Sequence, residues 1–283
     1  MQESYFAGKV AVVTGGGGTL CSRIAVYLAK QGAKVVIIGR SMDKLQVVID
    51  EIEGFGGFCI GKTGDVSKEE EMRKIACEVA LEVGCCDILV NGAGGNNPKV
   101  ITSNAHFCPQ ELNEDSSEGM ITFFNIDMNE FKRAIDINAI GTVISCKVFG
   151  RQMAEKGSGA ILNFASMNSY RPLSCRPAYA MSKAAIVNFT QWLANYAASA
   201  GIRVNAIAPG FVTNRNNIKF YGSAESGYTS SGNNILNHTP MHRFGTAEEL
   251  LGTVEWLLNS DLSGFVTGVT VPVDGGFLTC SGI

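Results

Sequence analysis

The sequence predicts a single α/β domain, 1–283, built on a seven-stranded parallel sheet with helices on both faces. Three observations predict it. Seven short apolar runs alternate with helix-length amphipathic stretches along the chain. A run of glycines, Gly15 to Gly18, stands between the first apolar run and the first amphipathic one. The 283 residues are 46% hydrophobic and 17% charged, a balance that fills one large core and does not describe a disordered chain.

The strands are expected at 10–14, 35–38, 58–61, 88–90, 160–164, 204–208 and 269–273, because turn residues close each apolar run. The first ends on the glycine run, the second on Gly39-Arg40, and the third just before Asp65-Val66. The fourth closes on Asn91-Gly-Ala-Gly94 and the fifth on Ala165-Ser166. The sixth closes on Pro209-Gly210 and the last on Val273-Asp-Gly-Gly276. Helices are expected between them at 19–31, 43–53, 68–83, 129–155, 178–200 and 247–259. This alternation implies right-handed crossovers, and a crevice at the carboxyl ends of the strands. Two polar, Gly- and Asn-rich stretches break the rhythm. They are read as an inserted loop, 95–123, and a substrate loop, 211–243, both over that crevice.

Charge excludes some classes of function. Lys and Arg number 23 against 26 Asp and Glu, for a formal charge of −3, without the basic stripe that a nucleic-acid binder carries. No apolar run reaches the ~20 residues that span a bilayer. Met1-Gln-Glu-Ser-Tyr5 lacks the basic and apolar regions of a secretory signal. The nine cysteines are odd in number and several fall in strands and helices, which suits free thiols in a reducing cytoplasm. With adjacent Cys85-Cys86 and only His106, His238 and His242, no metal site is expected.

A tight glycine turn from strand to helix lets a pyrophosphate approach backbone amides at a helix N-terminus. Gly15, Gly17, Gly18, Thr19 and Leu20 are therefore candidate cofactor contacts. The ribose end of a dinucleotide meets the end of the second strand. Gly39 offers no carboxylate there, and Arg40 suits a 2′-phosphate, so NADP is expected, while Asp43 keeps NAD open. Tyr179 and Lys183, four apart at the start of a helical stretch, share one helix face. An ammonium beside a phenol favours the phenolate, which makes the pair a plausible acid/base.

Ser166 precedes Tyr179 by 13 residues, and Asn138-Ala-Ile-Gly141 lies inside the long helix. With the glycine turn and the strand-end motifs above, these residues resemble the short-chain dehydrogenase/reductase family over nearly the whole chain. The resemblance implies a Rossmann fold and a homotetrameric NAD(P)-dependent oxidoreductase acting on CH–OH groups, which the cysteine usage above places in the cytoplasm. It implies that Tyr179 exchanges the proton with the carbonyl oxygen and that Ser166 hydrogen-bonds that oxygen. Lys183 would hold the nicotinamide ribose and lower the Tyr179 pKa, and Asn138 would anchor a relay water. Asp65, Val66, Asn91, Ala93, Gly94, Pro209, Gly210, Val212 and Thr213 would lie along the cofactor.

The chain departs from the family pattern in three places. Thr19 and Cys21 replace two glycines of the turn, and Cys21 must fit where helix and strand pack closely. Asn214 falls where the family has Thr, with Thr213 one position early. The segment between Gly94 and Asn138 is longer than the family norm.

Gly94-Gly-Asn-Asn-Pro98-Lys99 and Thr213-Asn-Arg-Asn-Asn217 resemble the D-mannonate oxidoreductase (fructuronate reductase) branch. A sugar acid needs polar partners for its hydroxyls and a cation for its carboxylate. Asn96, Asn97, Lys99, Ser166 and Arg215 are the first candidates. His106, Asn214, Asn217, Lys219, Arg171 and Arg176 are further ones. Two other functions are weighed. An enoyl- or dienoyl-thioester reductase is suggested by Asn91-Gly-Ala-Gly-Gly-Asn96, but Tyr179 at its spacing argues against it. A non-catalytic NAD(P) sensor would not need Ser166, Tyr179, Lys183 and Asn138 together.

Overall fold

The computed structural model describes residues 4–113, 119–213 and 218–280. The seven strands form one parallel sheet: β1 Val10–Thr14, β2 Lys34–Gly39, β3 Phe58–Thr63, β4 Ile88–Asn91, β5 Gly159–Phe164, β6 Ile202–Pro209 and, last in the chain, β9 Thr270–Val273. Their order is β3-β2-β1-β4-β5-β6-β9, with Thr14 level with Asn91 and Val13 with Val90. The chain winds outward through β2 and β3, then returns to β4 on the other side of β1. The crevice therefore opens at the carboxyl ends of β1 and β4.

Because strand side chains alternate, β1 serves two layers. Ala11 and Val13 pack with α1 (Thr19–Lys30), α2 (Met42–Glu53) and α9 (Leu251–Leu258). Val10 and Val12 pack on the other face with α3 (Glu69–Glu82), α5 (Gly141–Lys156) and α6 (Pro177–Ala197). Both faces of β1 are buried, which is why it reads as continuous apolar sequence.

The helix expected at 129–155 is broken. It is α4 (Met128–Ile135), a π-helical turn over Asp136–Ile140, and then α5. Asn138 lies in that turn, where an extra residue is squeezed into the ladder, a distortion that clusters at functional sites.

The described residues of the two polar stretches hold regular elements. The second holds α7 (Ile218–Tyr221), a hairpin of β7 (Gly222–Ser223) and β8 (Gly227–Tyr228), and α8 (Ser230–Asn237). Thr229 caps α8 by accepting from the Gly232 amide, so the Ser-Ser-Gly run that reads as loop is a first helical turn. Rings fix the segment. Phe211 meets Tyr221 at 6.0 Å and Phe277 at 5.5 Å, and Phe244 meets Tyr221 at 5.9 Å and Tyr228 at 5.6 Å. The first stretch contains 3-10 turns at Pro98–Val100 and Pro109–Leu112, and docks Val100 against Ala134 of α4 and Ala178 of α6. A four-residue helix, α10 (Ser260–Ser263), follows α9. None of the helices described is long and apolar enough to cross a membrane.

Candidate active site

Two close approaches shape the turn after β1. Gly15 has φ +69°, and a Cβ there would stand 2.9 Å from Ala93 Cα; one on Gly16 would stand 2.5 Å from Ile37 Cβ. Thr14 Oγ1 accepts from the Gly92 and Ala93 amides at 3.2 and 3.3 Å, joining this turn to the one after β4. Helix α1 starts on Gly18, with no capping side chain and no acid in its first turn. Its leading amides are left open to an anion, and the walls have no room for a Cβ, so the cradle fits a dinucleotide pyrophosphate.

Cys21 fits because Gly92 faces it: a Cβ on Gly92 would lie 2.0 Å from Cys21 Sγ. The space that a glycine in α1 would have left is supplied by a glycine across the gap. Burial pushes the Cys21 thiol up to about 12, against a smaller opposite pull from the Lys183 charge.

Ser166 ends β5. Its Oγ accepts from the Asn168 amide at 3.2 Å and from Asn168 Nδ2 at 3.3 Å, leaving its own proton to donate. Ser169 couples this turn to α6 by accepting from the Ser166 amide at 3.3 Å and donating to the Lys183 carbonyl at 2.6 Å. Pro177 opens α6, as suits a residue without an N–H, and the four-residue spacing then aims Tyr179 and Lys183 from one face. Ser166, Tyr179 and Lys183 line one cavity of about 410 Å³.

The electrostatics differ from the sequence expectation. Lys183 Nζ donates to the Phe164 carbonyl at 2.7 Å and stands 5.7 Å from the Tyr179 ring centroid. Burial holds the Tyr179 phenol above its ordinary range; the Ser166 hydrogen bond and then the Arg176 charge pull it down. The expected depression by Lys183 is therefore corrected: burial dominates, and the counter-pull comes from Ser166 and Arg176. Burial also lowers Lys183 to about 8.

Asn138 braces the wall of the site. Its Oδ1 accepts from the Gly95 amide, and its Nδ2 donates to the Gly95 and Ala134 carbonyls, each at 2.9 Å. Ala134 lies four residues back, so the side chain answers a carbonyl at the π turn. A Cβ on Gly94 would stand 2.5 Å from Asn138 Oδ1 and 3.7 Å from Lys183 Nζ, which places both Asn138 and Lys183 close against Gly94.

Of the cofactor candidates, Gly15, Gly18, Thr19, Leu20, Gly94, Pro209, Gly210 and Val212 line the Tyr179 cavity, as does Asn96 of the substrate candidates. Others do not. Gly17 faces α2, where a Cβ would stand 3.0 Å from Lys44 Cβ. Asn91 points into the sheet layer, donating to Asn163 Oδ1 at 2.9 Å and Cys146 Sγ at 3.1 Å, so it is a strut between β4 and β5. Ala93 backs Gly15, and Val66 is buried against Gly141. Asp65 accepts from the Ser67 amide and hydroxyl. Thr213 donates from both its amide and its hydroxyl to the Gly245 carbonyl. Arg40, Asn97 and Lys99 line a second cavity of about 260 Å³ that shares Gly94, Gly95 and Asn96 with the first. There Glu130 takes Lys99 at 2.8 Å and Asn97 at 3.0 Å. Arg215, Asn214 and Asn217 lie outside the described residues. Among the described residues no cluster of metal-ligating side chains occurs. Sequence reasoning did not single out Cys21, Asn168, Leu173, Phe211 and Tyr221 as cavity walls; the available signals were the place of Phe211 and Tyr221 in the 211–243 stretch and of Asn168 two residues after Ser166.

Residues 9–221 match the family model for short chain dehydrogenase. An uncharacterized oxidoreductase of Bacillus subtilis, UxuB, is 42% identical over 277 residues, 98% of this chain and 97% of its own. A Haemophilus influenzae structure with bound NAD, provisionally named a D-mannonate oxidoreductase, is 40% identical with a TM-score of 0.91, covering 98% of this chain and 97% of that one. A gluconate 5-dehydrogenase from Burkholderia cenocepacia, in complex with NADP and tartrate, is 26% identical with a TM-score of 0.81, covering 98% of each chain. Fold, cradle and family match agree: the chain belongs to the short-chain dehydrogenase family and is a nicotinamide-dependent oxidoreductase acting on CH–OH groups.

Proposed function

We propose that the protein interconverts a secondary alcohol and a ketone on a sugar acid of the D-mannonate/D-fructuronate type, with NADP preferred over NAD. The carrying observation is the Tyr179 cavity itself: Ser166, Tyr179 and Lys183 share it with the Asn96 and Asn168 amides, and among the described residues no carboxylate lines it. Such walls suit hydroxyls and an anion. The names of the Haemophilus and Burkholderia structures support the same substrate class.

The cradle from Gly15 to Leu20, Gly94 and the Pro209–Val212 stretch would hold the cofactor, and Lys183 its ribose. Bound there, the nicotinamide supplies the hydride chemistry. In reduction, Tyr179 donates its proton to the carbonyl oxygen, and its raised proton affinity keeps that proton available at neutral pH. Ser166 donates to the same oxygen as charge develops. Asn138 holds the Gly95 wall, and its place beside Lys183 supports the relay role. A homotetramer belongs to this reading and is supported by the stacked, exposed rings of Trp192 and Tyr196 on α6.

Arg40 is exposed at the end of β2 with no carboxylate at Gly39. Arg40→Asp is expected to turn the NADP preference toward NAD in kcat/KM ratios, and unchanged ratios remove Arg40 from the site. The substrate reading is tested with hexonates and keto-hexuronates, each with both nicotinamides. Turnover of a keto-hexuronate is expected; turnover of neutral alcohols alone overturns the assignment.

A further inference from the structure

Resting on the sugar-acid reading above, we infer that Arg176 seats the substrate carboxylate and so sets the preference for acidic over neutral sugars. Arg176 lies three residues before Tyr179 and caps the start of α6, so both side chains leave the same end of the helix and line the same cavity. The backbone behind it is held in an unusual form. Cys175, a non-glycine, has φ +69°, and its carbonyl accepts from the Thr102 amide at 3.0 Å, tying it to the inserted segment. Left-handed backbone at a residue with a side chain persists where its surroundings over-determine it, and such positions gather at ligand clamps.

The guanidinium is open. Its one hydrogen bond among the described residues is to the Ser174 carbonyl at 3.5 Å, the outer limit for such a bond. A guanidinium carries five N–H donors, so most of the fork is unspent. Most of the other described arginines are committed. Arg23, Arg73, Arg151 and Arg243 pair with glutamates, and Arg203 donates to the Leu257 and Leu258 carbonyls. Arg171, the other arginine between Ser166 and Tyr179, donates to the Cys280 carbonyl and does not line the cavity. The cavity's second cation, Lys183, is buried and already donates to Phe164. An arginine with most of its fork unspent, in a cavity that no carboxylate lines among the described residues, matches a planar carboxylate in two parallel hydrogen bonds. The seat also touches the chemistry. Arg176 pulls proton affinity out of Tyr179, so a carboxylate resting on it offsets that pull and leaves the phenol protonated, ready to donate.

The test measures binding of D-mannonate to the NADPH-loaded enzyme by quenching of reduced-nicotinamide fluorescence, beside kcat/KM for D-fructuronate relative to D-fructose, its uncharged counterpart. Arg176→Gln is expected to weaken D-mannonate binding about 10- to 100-fold, as removal of a charge-assisted hydrogen bond does, and to flatten the fructuronate-to-fructose ratio. Arg176→Lys should recover part of the binding, and Arg171→Gln should keep both quantities. NADPH binding by each variant reports its folding. If Arg176→Gln binds no NADPH, Arg176→Lys decides, since the charge stays but the fork is lost: a several-fold loss supports the seat and none overturns it. Undiminished D-mannonate binding in Arg176→Gln, or none in the wild type, also overturns it. Turnover of D-fructuronate that survives Arg176→Gln unchanged leaves the reaction standing and removes the seat. Binding that depends on Arg176 without any turnover does the reverse.

Discussion

Tyr179→Phe is expected to lower kcat for carbonyl reduction by about 10²–10⁴-fold, the range that a positioned proton donor contributes. The substitution removes one oxygen and nothing else. The ring keeps its place on α6, Lys183 keeps the Phe164 carbonyl, and the glycine cradle after β1 is not touched. NADPH titration of the variant should therefore match the wild type. Ser166 keeps its two hydrogen bonds from Asn168, so it can still steady the carbonyl oxygen, but the proton that Tyr179 delivers is gone. Steady-state kcat with saturating cofactor checks this, and near-normal turnover removes Tyr179 as the proton donor.

Lys183→Met is expected to abolish turnover and, at the same time, to change how stability depends on pH. Burial disfavours the charge and holds the native lysine at about 8, whereas the unfolded chain keeps the ordinary value near 10.5. Between those values the unfolded state holds a proton that the folded state has released. Unfolding free energy of the wild type should thus rise with pH from about 8 to about 10.5, by roughly 3 kcal/mol at most if ~1.36 kcal/mol accompanies each unit. Lys183→Met lacks this contribution, so the gap between the two proteins should move in the wild type's favour across that window. At pH 7, relief from burying the charge is set against about 1–3 kcal/mol for leaving the Phe164 carbonyl without its donor. Denaturant titrations at several pH values check the slope; parallel curves for the two proteins remove Lys183 as a strained cation.

Much of the frame was legible in sequence because its signals are local. Apolar runs stopped by turn residues mark all seven strands, and the four-residue spacing of Tyr179 and Lys183 needs only a helix to be true. Other features depend on what folds against what. The spacing shows an ammonium near a phenol, but not that the Phe164 carbonyl takes it or that burial outweighs both. Asn91 reads as a cofactor contact from its motif, yet strand alternation turns its amide toward Asn163. Asn97 and Lys99 read as sugar contacts until Glu130, brought up by α4, takes them both. In 211–243 the rings that order the segment are scattered in sequence and come together only once Phe244 and Phe277 arrive.

The seat of Cys21 opposite Gly92 has an evolutionary corollary. The two positions form one steric locus written in two places, so neither can drift alone. A methyl gained at 92 would strike sulfur, while a glycine at 21 would open a hollow beside the turn after the first strand. Lineages that carry a thiol in the first helix should carry a bare α-carbon beyond the fourth strand, and searches that tally glycines within one motif will undervalue them.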